Sequence, residues 1–108
     1  LQAIFKHEYS DVLDKIGSSD ITHNINFRLF EKIIKKLGGL KHSLTTQKEF
    51  LTKMGIHERA EMIAKNQNFL KKADIYYRLK RLTDEKQMGK LFKVMLIKNQ
   101  NNNFNLGF

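Results

Sequence analysis

The run Leu91 to Leu96, LFKVML, limits what this chain can become. Only Lys93 interrupts it. A strand with one wet face alternates apolar and polar residues, whereas this one offers apolar side chains to both faces. It needs neighbouring strands and a cover on each side. The residues before it read as the end of a helix, a short capped helix and a turn. Thr83 and Asp84 stand where an N-cap belongs, Gln87 follows at the spacing of a weak capping box, and Gly89 offers a helix stop.

The rest of the chain supplies the candidate cover. Leu1 to Tyr9 reads as one strand, and Ser10 to Ser19 as a loop turning at Gly17. Asp20, Ile21 and Thr22 read as a loop before a helix over about Asn26 to Leu37. In that helix Phe27, Phe30, Ile33, Ile34 and Leu37 recur at the spacing of one buried face, with Lys32, Lys35 and Lys36 outside. Gly38-Gly39 ends it. A short strand at Leu40 to Leu44 precedes a helix capped by Thr45 or Thr46, with Glu49 completing a capping box and Gly55 stopping it. Helices over Ile56 to Asn66 and Phe69 to Leu82 follow, the second burying Phe69, Ala73, Tyr76 and Tyr77. Asn99 to Asn105 is polar loop, and Leu106-Gly107-Phe108 an apolar tag that packs back on the body. The expectation is an α/β fold of about three strands, at least one pair antiparallel, with four to five helices.

At 108 residues this is one domain or part of one. Leu1 already lies in a strand-like run, which suggests an excised or cleaved piece of a larger protein. The net charge is +9, from 20 basic and 11 acidic residues. Such a balance suits an anionic partner. Lys outnumbers Arg 16 to 4, Asn occurs 9 times and Pro never, however, which is the imprint of AT-rich coding. Nucleic acid is therefore not the favoured partner, since phosphate-reading surfaces draw on the arginine fork. The expectation is a cytoplasmic protein, from a bacterium with an AT-rich genome. There is no cysteine, hence no disulfide and no thiolate metal site. No apolar run reaches the length of a membrane span.

The sequence is poor in catalytic constellations. His7, His23, His42 and His57 pair with no second ligand at metal-binding spacing. Asp11 and Asp14 read as solvated loop carboxylates. There is no glycine-rich phosphate loop and no nucleophile elbow. Thr46 to Asn66 has the order of a DNA-binding helix-turn-helix about Gly55, but Leu51 stands where a small residue belongs and Glu61 where an apolar one does. Asp20 and Thr22 place an acid and a hydroxyl together at a strand end, where sites often form; a plain turn or cap uses the same residues.

Three ordered blocks carry a resemblance over essentially the whole chain. Gln47, Phe50, Leu51, Met54, Gly55, Ile56, Arg59 and Ala60 resemble the "tQ-x-x-FL-x-x-lGI-x-x-Ra" signature in the C-terminal part of the MidA family. Gly17 to Phe27 is similar to that family's "pG-x-xDiTahVdF", and Arg81 to Leu96 to its "RLtdp-x-qMGelFKVLa". Leu1 to His7 and the closing Gly107-Phe108 also resemble family segments. These are class I S-adenosylmethionine-dependent methyltransferases, related to the mitochondrial enzyme needed for assembly of respiratory complex I.

The resemblance implies that residues 1–108 form the C-terminal, substrate-side part of such an enzyme, carrying the last strands of a seven-stranded sheet and inactive alone. S-adenosylmethionine would then belong to the full-length protein, with no cofactor site expected in this piece. Its partners would be its own N-terminal methyltransferase domain and a protein substrate, an arginine-bearing complex I subunit. Asp20 and Thr22 become the candidate substrate contacts, with no catalytic residue assigned. The family has His and Asp where this chain has Asn24 and Asn26, so these two are either caps or a changed substrate contact. Gln47 and Arg59 match the family and suit structural support, capping or ion pairing. The alternative reading is a basic nucleic-acid-binding module or a protein-interaction module.

Overall fold

The computed structural model describes residues 1–108. It is a mixed α/β structure: β1 (Gln2–Phe5), β2 (Glu8–Ser10), β3 (Asp20–Thr22), α1 (Phe27–Leu37), β4 (Leu40–Thr46), α2 (Gln47–Lys53), α3 (Ile56–Ala64), α4 (Phe69–Thr83), α5 (Met88–Leu91) and β5 (Lys93–Asn99). The five strands make two antiparallel sheets, β2-β1-β3 and β4-β5. Two strands beyond the expected three come from the N-terminal region. The chain divides into two compact units, 1–33 and 34–108.

In the first unit Leu1 to Tyr9 is a hairpin rather than one strand. Phe5 pairs with Glu8, leaving Lys6 and His7 as a two-residue turn. Their φ values, 50° and 69°, are left-handed, as a turn matching the twist of a hairpin requires. Neither residue is the Asn or Gly that favours this conformation, so composition hid the turn. Lys15 and Lys6 place their ammonium groups over the Phe5 ring, at 4.6 and 5.4 Å from its centroid. Asp20 to Thr22 is not loop. It pairs with β1 as an edge strand, Ala3 opposite Ile21. Ala3 is the one buried residue of this sheet.

Helix α1 starts where Asn26 Oδ1 accepts the Leu29 N–H at 3.2 Å, and ends at Gly38 and Gly39, both left-handed. Its pattern implies a buried face, yet Ile34 alone is buried, while Ile33 is 47% and Leu37 70% exposed.

In the second unit β4 and β5 pair from Leu40–Asn99 to Thr46–Lys93. Partners across an antiparallel pair share a face. Leu40, Leu44, Met95 and Ile97 therefore lie on one side, Val94 and Leu96 on the other. The strand is apolar on both faces, as its sequence implies, but it has one neighbour only. Thr46 ends β4 and caps α2 in the same residue, through the capping box with Glu49. Gly55, at φ 80°, turns the chain into α3, and Asn68 Oδ1 caps α4 by accepting the Lys71 N–H.

The segment after α4 departs from its sequence reading. Thr83 is the last helical residue, its hydroxyl donating back to the Leu79 carbonyl at 2.9 Å, not an N-cap. Asp84 makes a side-chain turn to the Lys86 N–H. Gly89 lies inside α5 and does not stop it. A methyl group there would stand 2.3 Å from the Thr83 carbonyl oxygen, so glycine lets α5 sit against the end of α4. At the C-terminus Gly107 packs under the Phe50 ring, and Phe108 meets Phe50 edge-on at 5.6 Å. Ala60 and Ala64 complete the short roster of buried side chains. Phe69 and Tyr77 of α4, expected inside, are 82% and 61% exposed.

Gly89→Ala drives a methyl into backbone that cannot yield, and should lower the unfolding free energy by about 1–3 kcal/mol in urea titration. The double replacement Lys6→Asn with His7→Gly relieves two left-handed residues and should raise stability by on the order of 1 kcal/mol.

Candidate functional site

Asp20 and Thr22 flank Ile21 on β3. Side chains two apart on a strand share a face, with Cα atoms about 7 Å apart. Both are exposed, and β3 is an edge strand. An acceptor and a hydroxyl therefore stand side by side in solvent. Asn24 and Asn26 follow in the link to α1. The Asn24 carbonyl lies 3.0 Å from His23 Nδ1, and Asn26 is the helix cap described above. A short polar side chain suffices for capping, so the cap explains Asn26 without a ligand.

Gln47 and Arg59 belong to the second unit. Gln47 is a structural tie: its Nε2 donates to the Leu82 carbonyl at 2.9 Å, and its backbone N–H to the Phe92 carbonyl at 2.9 Å. These two bonds hold the start of α2 to the end of α4 and the entry to β5. Arg59 is exposed on α3 with no ion-pair partner, so the pairing expected for it is not made. Glu61, awkward as the interior residue of a DNA-binding helix pair, is exposed on α3.

Charged groups gather beside Gln47, among which the sequence singled out Glu49 alone. Lys48 Nζ meets Glu85 Oε1 at 2.7 Å, across 37 positions of chain. Glu49 Oε2 accepts from the Thr45 hydroxyl at 2.6 Å and from the Thr46 N–H at 3.4 Å. These bonds hold the Glu49 carboxyl below its ordinary range, the Thr45 hydroxyl first. The hydrogen bond from Lys48, then its charge, lowers Glu85, and the same pair raises Lys48. Together with Lys90 they line a hollow of about 270 Å³ over Gly89. Glu49 was legible as a capping box. Nothing local marks Glu85 as the partner of Lys48.

A larger hollow, about 470 Å³, lies between α3 and α4, lined by Glu58, Glu61, Met62, Lys65, Lys72 and Tyr76. It balances two acids with two amines and holds no histidine or aliphatic hydroxyl. The Thr46 hydroxyl in the smaller hollow is engaged as a cap. No three His, Asp or Glu side chains gather as a metal site.

Both sheets are antiparallel, and β4 runs directly into α2 through Thr46 with no glycine between them. No protein-family model matches the chain. No helix is long and apolar enough to cross a membrane.

Gln47→Ala should cost about 1 kcal/mol of stability in urea titration, the worth of one hydrogen bond whose carbonyl partner is left half-buried. The carboxyls set an acid limb. Glu49 and Glu85 ionise below their ordinary 4.5, so what they contribute is complete above pH 4.5 and is lost as pH falls through their lowered values. Lys48 works oppositely, contributing below pH 10.5 and losing its contribution as pH rises through its raised value. Urea midpoints measured from pH 6 down to 3 should fall for the wild type, and fall less steeply for Glu49→Gln.

Proposed function

We propose that this chain is the substrate-side, C-terminal portion of a MidA-like S-adenosylmethionine-dependent protein arginine methyltransferase linked to respiratory complex I, inactive by itself. The observation that carries the reading is the pairing of Asp20 and Thr22, exposed on one face of the edge strand β3. Asp20 accepts hydrogen bonds from a guanidinium, and its charge-assisted contact fixes the plane of the group. Thr22 adds a neighbouring hydroxyl acceptor. Methyl transfer to nitrogen is an in-line displacement, so holding the nitrogen in line is the service such a pair renders. In this reading the methyl donor is bound by preceding sequence. The uncovered apolar residues of α4 and the two-faced β5 support the same reading, since a larger body would cover them. That exposure equally favours a protein-interaction module, the second reading.

Calorimetric titration with S-adenosylmethionine separates them. The proposal expects no binding by residues 1–108 and binding by the same chain extended upstream. In the extended protein Asp20→Asn should lower kcat/KM for an arginine substrate about 10- to 100-fold with cofactor affinity unchanged, the loss of one charge-assisted contact. Binding by neither protein, with both folded, sinks the methyltransferase reading.

A further inference from the structure

We propose that α1 is a peripheral docking helix for an anionic lipid surface. At 100° per residue its side chains separate cleanly. Leu29, Phe30, Ile33 and Leu37 occupy one exposed arc, with Phe27 and the buried Ile34 at its edge, while Arg28, Lys32, Lys35 and Lys36 occupy the opposite side, with Glu31 the single acid. A short helix with an apolar face and a cationic remainder lies in the plane of a membrane surface. Its apolar face sinks among the acyl chains and its long cations reach back to the headgroups. Two observations favour a lipid occupant over a protein core. First, Leu29, Phe30, Ile33 and Leu37 are open to solvent, and Ile34 alone of the helix is buried. Second, the charge is complementary to anionic lipid: four cations against one acid on the helix, on a chain of net +9. Eleven residues make a helix about 16 Å long, which rests on a bilayer and does not cross it. The inference stands apart from the methyltransferase reading and uses none of Asp20, Thr22 or Gln47.

The chain contains no tryptophan, so Leu29→Trp supplies a single reporter on the apolar arc. Vesicles of phosphatidylcholine containing phosphatidylserine should shift its emission to the blue and carry the protein down on sedimentation. Pure phosphatidylcholine vesicles should bind far less. Lys32→Gln with Lys36→Gln touches only exposed side chains, and should weaken binding about 25-fold, five-fold per cation. Phe30→Asp, with its helix content checked by circular dichroism, should abolish the shift. The proposal is overturned if the emission of Leu29→Trp stays unshifted with anionic vesicles. It is overturned equally if the lysine variant binds like the wild type, or if sedimentation occurs without a shift, which would place the contact on another basic surface. A blue shift that appears without vesicles as concentration rises assigns the apolar arc to a second copy instead.

Discussion

The second unit depends on the meeting of Gln47, the end of α4 and the entry to β5. Gln47 donates once from its side chain to Leu82 and once from its backbone to Phe92. Gly89, lacking a side chain, lets α5 close on the Thr83 and Asp84 carbonyls. Thr46 adds the last ladder pair of β4 and the cap of α2. Within a few residues, parts of the chain 35 to 47 positions apart are fastened by backbone groups, several of them helix ends that would otherwise be orphaned. Helix, short helix and strand are thus positioned by hydrogen bonds and close approach, with little help from large buried side chains.

Local chemistry was legible in the sequence wherever one residue does one local job. Thr46 and Glu49 form their box, Gly38-Gly39 and Gly55 turn the chain, the terminal Gly107-Phe108 packs back on the body, and Asn26 takes the capping role, one of the two open to it. What stayed hidden was tertiary. Lys6 and His7 carry no turn signature, because the left-handed pair is imposed by strand pairing on either side. Gly89 looks like a helix stop from its identity alone, and only the nearby Thr83 carbonyl shows that it serves close packing. Glu85 and Lys48 find each other through the fold and not through spacing. The pairing of Asp20 with Thr22 was visible, but as a loop; β3 turns it into a shared face.

Periodicity failed most where it looked strongest. The apolar spacing of α1 and α4 is that of buried faces, yet Leu37, Phe69 and Tyr77 stand in solvent. An amphipathic pattern states that a face is to be covered, not by what. For α4 and the two-faced β5 the methyltransferase reading supplies a larger protein body as the cover. For α1 the cations around the apolar arc point to lipid. Both readings rest on one physical fact, that this chain holds more apolar surface than its own small core uses.

Native-state amide exchange tests the central role of the Gln47 junction most directly. The account predicts that the amides of Gln47, Gly89 and Phe92, each donating within this junction or into the turns that build it, exchange slowest and together, through one cooperative opening of the second unit. Exchange of these three amides as fast as those of the exposed turn at Lys6 and His7 would contradict it, and would move the organising contact of the fold elsewhere.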